Sequence, residues 1–262
     1  MIKTSVNREE IFNRTALLTG RRNLESFGQT RVIIFGIGGV GSWTAETLVR
    51  SGFANLTLVD ADRIAMSNIN RQLPATTKTV GEVKVEAMKQ RLLEINPDAR
   101  IVAIHDFYNE ATQDNYVLTD YDVVIDAIDS LSDKARLILN ATKAMAETAG
   151  SDRRLHFYSS MGAALKTDPS RIAVAEFWKV KGCPLAAALR RKFKKSGLFP
   201  AKKFKCVYSD ELVANHPDAK EMADRSGAMT YNKVATNGAM MHITAIFGIT
   251  LASLAIRDIM KP

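Results

Sequence analysis

Short apolar runs alternate with helical patterns along the first 160 residues. Apolar runs that predict buried strands cover 31–35, 55–59, 100–104, 122–128 and 155–159. Helical spacing of apolar positions predicts helices over 42–51, 80–96, 109–119 and 131–148. Strands that alternate with helices in this order predict an α/β fold of Rossmann type, with a doubly wound, mostly parallel sheet. A ligand crevice is then expected at the carboxyl ends of the strands.

Beyond residue 160 the regular alternation ends. The pattern there indicates a strand at 171–177, a basic helix, a strand at 204–209, a loop from about 209 to 235 and a final apolar helix. We therefore expect a single domain over 1–262. Its N-terminal helices occupy 1–30, its core 31–160, and a C-terminal α+β elaboration 161–262.

The final apolar stretch, residues 239–256, is interrupted by His242, Thr244, Thr250 and Ser253. It falls at or just below the roughly 20 residues that a membrane-spanning helix needs. A helix buried in the core or at a dimer interface is the favoured interpretation, and peripheral membrane contact stays open.

Composition narrows the class of protein. Hydrophobic residues make up 46% of the chain and charged residues 24%, which is typical of a globular protein. The two cysteines, Cys183 and Cys206, cannot form a disulfide framework or a cysteine-rich zinc site. The charged N-terminus lacks the apolar core of a signal peptide. We therefore expect a cytoplasmic protein.

The positive charge is concentrated in one segment, residues 179–205. The chain has 36 basic and 28 acidic residues, and this segment holds ten of the basic ones and no acidic one. Such a segment is either a solvated face or a docking surface for a polyanion such as RNA. The positions expected to bind such a polyanion are Arg190, Arg191, Lys194, Lys195, Lys202 and Lys203.

A glycine-rich sequence follows the first predicted strand. Residues 36–41, GIGGVG, fit the G-x-G-x-x-G pattern, in which small residues let backbone N–H groups approach a phosphate. Asp60, 19 residues beyond the last glycine, ends the second predicted strand, where an acid can bind ribose hydroxyls. A nucleotide is expected, and this pattern leaves NAD and ATP both open. The expected phosphate-binding glycines are Gly36, Gly38, Gly39 and Gly41.

Further polar motifs favour ATP. The chain has Asp60-x-Asp62, then SNINRQ at 67–72 and VGEVKVE at 80–86. Several donors that converge suit three phosphates and a leaving pyrophosphate better than they suit a nicotinamide. In these motifs and their order the sequence resembles the ThiF/MoeB superfamily of ubiquitin-activating-type adenylating enzymes.

The resemblance implies specific roles. Asp60 would bind the ribose, and Asp62 would be a further nucleotide contact. The phosphates would contact Asn68, Arg71, Gln72 and Lys84, and Asp129 would lie near a Mg²⁺ ion and the α-phosphate. Arg71, Lys84 and Asp129 would be catalytic. Surface charge is the alternative for Arg71 and Lys84, and a structural cap or a helix contact is the alternative for Asp126. The other expected nucleotide contacts are Asp126 and Ser130.

The N-terminal segment Phe12-Asn13-Arg14 resembles the family's aromatic-x-Arg sequence. This resemblance implies that Arg14 reaches the ATP site of the neighbouring subunit and that residues 1–30 make dimer contacts. A homodimer is therefore expected, and a local salt bridge of Arg14 is the alternative.

The second half is similar to the tRNA threonylcarbamoyladenosine dehydratase branch of the family. The similarity lies in SSMGA at 159–163, TDP at 167–169, PLA at 184–186, CVYS at 206–209 and FG at 247–248. The paired C-x-x-C motifs of sulfur-carrier activators are missing, because the two cysteines lie 23 positions apart. The branch implies a tRNA substrate, an acyl adenylate, and closure of a ring with loss of AMP.

Other interpretations stay open. The protein could activate a ubiquitin-like or sulfur-carrier protein, which requires the same ATP chemistry. It could be an NAD-dependent oxidoreductase, although that function leaves the motifs at 67–86 unexplained. It could also be a regulator that binds ATP without turnover. A buried strand residue is favoured for Cys206 over sulfur exchange with a sulfur-transfer protein partner. The dependence on a monovalent cation is left undecided.

Overall fold

The computed structural model of the protein describes residues 8–151, 154–219 and 237–260. Seven strands form one sheet: β1 Arg31–Phe35, β2 Asn55–Val59, β3 Arg100–Ile104, β4 Val123–Asp126, β5 His156–Ser160, β6 Ile172–Glu176 and β7 Lys205–Ser209. The α-helices are α1 Arg8–Ile11, α2 Asn13–Thr19, α3 Arg21–Gln29, α4 Gly41–Arg50, α5 Lys84–Ile95, α6 Leu131–Glu147, α7 Pro184–Ser196 and α8 Met241–Ile259.

The strand order, β3-β2-β1-β4-β5-β7-β6, fixes the position of the ligand crevice. Every neighbouring pair is parallel except β6 with β7. The chain winds outward in both directions from β1 and β4, so these strands flank the point at which the order reverses. Loops that leave the carboxyl ends of β1 and β4 therefore border the crevice expected of such a sheet.

Two apolar layers cover the sheet. One face packs against side chains of α3, α4, α5 and α8, including Phe27, Leu48, Met88 and Phe247. The other packs against α6 and α7, including Ile138 and Phe193. The predicted Rossmann-type fold is confirmed.

The predicted helix at 109–119 is wrong. The structure has two short 3-10 turns there, over Gln113–Asn115 and Leu118–Asp120. The Asn109 side chain accepts hydrogen bonds from the N–H groups of Ala111 and Thr112 at 2.9 and 3.2 Å. Such local bonds to the backbone compete with helical hydrogen bonding.

Helix α8 is the one helix of the described residues that is long and apolar enough to cross a membrane, and half of it is buried within the fold. Phe247, Leu251 and Ala255 are fully buried. The expected core helix is thus observed. Residues 220–236, most of the loop expected at 209–235, lie outside the described residues.

Candidate functional site

A glycine turn, residues 36–41, joins β1 to α4. Gly36 has a φ of +87°, and a Cβ there would lie 2.7 Å from the carbonyl oxygen of Ala127. A Cβ at Gly41 would lie 1.8 Å from the carbonyl oxygen of Gly36. Both positions therefore need glycine for the fold itself. Gly38 differs, because the nearest atom to its Cβ position is Gln72 Nε2 at 3.8 Å, which leaves room for a ligand.

Helix α8 supports the outer side of this turn. A Cβ at Gly39 would lie 3.2 Å from the Thr244 side chain, and a Cβ at Gly248 would lie 2.4 Å from the carbonyl oxygen of Val40. Thr44 Oγ1 donates a hydrogen bond to the Gly248 carbonyl at 3.0 Å. The C-terminal helix therefore fixes the start of α4, whose N–H groups point toward the crevice.

The two acids of the D-x-D motif hold a buried lysine. Lys84 Nζ lies 3.2 Å from Asp60 Oδ1 and 2.8 Å from Asp62 Oδ2, and the lysine side chain is 3% exposed. Burial lowers the pKa of Lys84, but the two carboxylates outweigh it and hold that pKa above its ordinary value. Asp60 Oδ2 also accepts a hydrogen bond from the Ile37 N–H at 2.6 Å. Asp60 therefore links the buried Lys84 to the glycine turn.

Arg71 lies against the glycine turn, one of the two loops that border the crevice. A Cβ at Gly39 would lie 3.3 Å from Arg71 Cγ, so the side chain lies against the glycine turn. Its Nη1 donates hydrogen bonds to the Ser67 carbonyl and to Asn70 Oδ1, both at 2.8 Å. Burial lowers the pKa of Arg71, and the charge of Asp129 acts in the opposite direction. Arg71 therefore interacts electrostatically with the exposed Asp129, which lies beyond β4.

Gln72 and Asn68 have different surroundings. Gln72 is 7% exposed, and its Oε1 is a buried atom that has no hydrogen-bond partner among the residues the structure describes. Its Nε2 faces Gly38. Asn68 Oδ1 accepts a hydrogen bond from the Ala65 N–H at 3.0 Å, which shapes the turn before Arg71. Buried polar atoms in native proteins usually have a partner, so the Gln72 oxygen indicates a missing donor.

Asp126 belongs to a buried network beneath the loop that carries Asp129. Its Oδ2 lies 2.8 Å from Lys134 Nζ and accepts a hydrogen bond from Ser159 Oγ at 2.6 Å, and both charged side chains are 0% exposed. Lys134 Nζ donates to the Ile128 carbonyl at 2.9 Å, and Asp126 Oδ1 accepts from the Ile128 N–H at 3.1 Å. The network therefore binds both the N–H and the carbonyl group of Ile128 in this loop. A contact of Asp126 with a nucleotide stays a prediction.

The remaining predicted residues lie around the crevice or at the surface. Ser130 is half-buried and is the N-cap residue of α6, but its side chain makes no capping hydrogen bond. Arg14 is exposed on α2, a helix that precedes β1 and does not belong to the glycine turn. Leu17 and Leu18 on the same helix are 80% and 87% exposed.

The basic segment presents five of its six predicted tRNA contacts to solvent. Arg190 differs, because its Nη1 donates to the carbonyls of Phe177 and Val180 at 3.2 and 3.0 Å and its guanidinium lies over the Phe177 ring. The structure therefore gives Arg190 an internal role. Lys192 Nζ lies 3.4 Å from Ser132 Oγ, so α7 lies beside the first turn of α6. The exposed residues are Arg191, Lys194, Lys195, Lys202 and Lys203.

Cys206 is fully buried, and burial raises the pKa of its thiol well above the ordinary value. The favoured interpretation as a buried strand residue is confirmed. Among the described residues, no group of three or more His, Cys, Asp or Glu side chains could hold a metal ion by itself.

Sequence reasoning missed Lys134, Ser159 and Thr244 as neighbours of the site. Lys134 had a usable signal, because it shares a helical face with Ile138 and Ala141, where an unpaired charge is costly. Ser159 and Thr244 had none, since ordinary small polar residues carry no spacing that reveals a contact across the fold.

Comparisons with known proteins agree with this architecture. A tRNA threonylcarbamoyladenosine dehydratase from Bacillus subtilis is 34% identical over 252 residues, which cover 95% of this chain and 94% of the relative. One from Haemophilus influenzae is 36% identical over 260 residues, which cover 97% and 95%. The crystal structure of the Escherichia coli tRNA N6-threonylcarbamoyladenosine dehydratase in complex with ATP matches with a TM-score of 0.80 at 31% identity, over 98% of this chain and 97% of that one. The ThiF family model matches residues 12–261, and the chain therefore belongs to the ThiF family.

Proposed function

We propose that this chain is an ATP-dependent tRNA threonylcarbamoyladenosine dehydratase. The observation that carries the proposal is the position of Arg71 directly against the glycine turn, where the charge of Asp129 from the loop after β4 also acts on it. A cation and an acid on these two loops would both be near the α-phosphate of an ATP bound at the glycine turn. The near full-length similarity to dehydratases of this name supports the choice of substrate.

The residues present fit ATP. Gly38 leaves space beside Gln72 Nε2, which can donate to a phosphate oxygen, and the buried Gln72 Oε1 needs a donor that a nucleotide hydroxyl or amino group can supply. Asp60 retains acceptor capacity for a ribose hydroxyl. Lys84 is buried and paired with two acids, so the three side chains together carry a net negative charge, and a contact of Lys84 with a phosphate stays a prediction.

Asp129 is the proposed ligand of Mg²⁺. Mg²⁺ commonly binds through one or two carboxylates together with substrate phosphates, so an all-protein cluster is not needed. When bound, the ion would neutralise charge on the phosphates.

In the proposed reaction, a carboxylate oxygen of the threonylcarbamoyl group attacks the α-phosphorus, and the bond to pyrophosphate breaks. The product is an acyl adenylate. The carbamoyl group then closes onto the activated carbonyl, and AMP leaves. Arg71 would stabilise negative charge that develops on the α-phosphate, and the glycine turn would hold the phosphates in line.

Arg14 is proposed to complete the site of a second subunit in a homodimer. Arg14 and the exposed Leu17 and Leu18 are three and four positions apart on α2, so they share a face. Apolar side chains that are so exposed favour burial against a partner, which would carry Arg14 into the interface.

AMP release from ATP tests the reaction. Release should be stimulated by tRNA that carries threonylcarbamoyladenosine, not by unmodified tRNA, and should be lost in Arg71→Ala. Arg100→Ala, an exposed arginine at the start of β3, is the matched control and should keep full activity. If no tRNA stimulates release, the carboxylate substrate is instead a protein C-terminus.

Subunit mixing tests the role of Arg14. If it acts across the dimer, equal mixing of the inactive Arg14→Ala and Arg71→Ala proteins restores one intact site in each mixed dimer, or about a quarter of wild-type activity. If Arg14 acts within its own subunit, mixing restores nothing.

A further inference from the structure

Two aromatic side chains stand exposed at the border of the basic segment. Trp178, in the 3-10 turn Phe177–Lys179, is 39% exposed, and Phe199, just after α7, is 53% exposed. Their ring centroids lie 6.2 Å apart with planes at 41°. Leu198 beside them is 58% exposed. Trp178 and Phe199, with Leu198 next to Phe199 in the sequence, form an exposed apolar surface, which we call the aromatic platform.

A rigid core holds the platform in place. Phe177 is fully buried, contacts Trp178 edge to face at 5.2 Å and stacks on Phe204 at 5.1 Å. The backbone N–H of Trp178 also donates a hydrogen bond to the Glu176 carboxylate at 3.2 Å. Because the Trp178 ring packs against the buried Phe177 and is partly exposed to solvent, it would lose little conformational entropy when a ligand binds.

The charge around the platform favours RNA as its ligand. Residues 179–205, which run between and beyond the two rings, contain ten basic residues and no acidic one. Lys179, Lys194, Lys195, Lys202 and Lys203 are all exposed. Aromatic faces that stack bases, next to cations that meet phosphates, are the combination by which proteins bind unpaired nucleotides.

The platform lies away from the crevice. Glu176 pairs with Lys205, the first residue of β7, so the Phe177–Lys179 turn lies at the end of the sheet where β7 begins. Because β7 is parallel to β5, the glycine turn and the Asp129 loop lie at the opposite end. The platform would therefore contact a part of the RNA other than the nucleotide that reacts.

We propose that Trp178 and Phe199 stack an unpaired base of the tRNA substrate, outside the nucleotide that is modified. This proposal rests on the proposed function. Stacking accepts any base, so it would add affinity and fix the position of the RNA without selecting a sequence.

Binding of the full chain to modified tRNA, measured across a range of KCl concentrations, tests the proposal. Trp178→Ala should weaken binding about 5- to 100-fold, since one stacked base contributes that much. The slope of log affinity against log salt should not change, because no phosphate contact is lost. Trp178→Phe should keep most of the affinity. Lys203→Ala should instead reduce the slope by about 1.

Fluorescence gives a second readout, because the chain has two tryptophans. Modified tRNA should quench the emission of the wild-type protein, and Trp178→Phe should abolish most of this change. Val174→Ala, an exposed apolar residue on the neighbouring strand β6, is the control and should alter neither quenching nor affinity.

The outcomes separate the platform from the reaction. Wild-type tRNA affinity in Trp178→Ala at every salt concentration overturns the platform, even if modified tRNA stimulates AMP release normally. Loss of affinity and quenching in this variant supports the platform, even if AMP release never responds to tRNA. If Trp178→Ala loses binding to anionic phospholipid vesicles while its affinity for tRNA is unchanged, the surface binds a membrane and the proposal is overturned.

Discussion

The buried pair of Lys134 and Asp126 yields a prediction with a definite size. Both side chains are 0% exposed and their charged atoms lie 2.8 Å apart. Lys134→Met keeps an unbranched apolar stem but leaves the carboxylate buried without its cation. Removal of one partner from a buried ion pair costs about 3–5 kcal/mol of the free energy of unfolding. We expect a loss of that size.

The double variant Asp126→Asn/Lys134→Met tests the cause. Asn is neutral and can still accept hydrogen bonds from Ser159 Oγ and the Ile128 N–H. The double variant should therefore recover most of the lost stability, because no buried charge remains. Urea unfolding of the wild-type protein and of the variants, at one protein concentration, measures the coupling between the two sites.

The pH dependence gives an independent check. Burial already raises the pKa of Asp126, and Lys134 is the main group that opposes the rise. In Lys134→Met the pKa of Asp126 should rise further, because the cation that opposes the effect of burial is gone. A raised carboxyl pKa in the folded state means that stability falls as the pH rises through the interval between the unfolded and folded values. The variant should lose more stability at pH 8 than at pH 5, and a loss under about 1 kcal/mol at both would refute the reasoning.

Three further predictions concern the glycine turn, Gln72 and His156. Gly36→Ala should lower stability by about 1–3 kcal/mol, because its φ is +87° and its Cβ would meet backbone, whereas Gly38→Ala should unfold like the wild type but bind ATP more weakly. Thermal unfolding and ATP titration separate the two, and a stable Gly36→Ala would contradict the geometry. Gln72→Leu should keep or raise stability, because a buried oxygen without a partner is removed, yet weaken ATP binding; unchanged ATP affinity would remove Gln72 from the site. Burial lowers the pKa of His156 below its ordinary 6.5, against the opposing charge of Asp258, so its contribution to stability is complete above 6.5 and is lost as the pH falls through the folded value. His156→Gln should therefore show a smaller fall in urea midpoint from pH 7.5 to 5 than the wild type, and an identical fall would count against this assignment.

The sequence predicts the central strands and the glycine turn well because their signals are local. The apolar run before Gly36 and the acid at Asp60 are set by spacing within one βαβ unit. The resemblance to a known family supplied the roles of Arg71 and Asp129, which spacing alone could not give.

Contacts between distant segments could not be predicted. Nothing near Gly36 indicates that the Ala127 carbonyl lies against it. The apolar helical face around Lys134 indicates that its charge needs a buried partner, but it does not identify Asp126 as that partner. Arg190 carries the same charge as its neighbours, yet the carbonyls of Phe177 and Val180 bind it inside the fold. The helix predicted at 109–119 does not form, because the Asn109 side chain accepts hydrogen bonds from the backbone N–H groups of Ala111 and Thr112.

The packing of α8 on the glycine turn affects when the protein can begin to bind its nucleotide. Apart from Arg14, every residue proposed to touch ATP lies between positions 36 and 130, yet Thr244 and Gly248 hold the turn from the other end of the chain. A nascent chain on the ribosome can form the strands and the motif early, but the turn gains its rigid backing only after α8 has emerged and docked. Chains cut before α8 should carry the complete motif set and still fail to retain ATP.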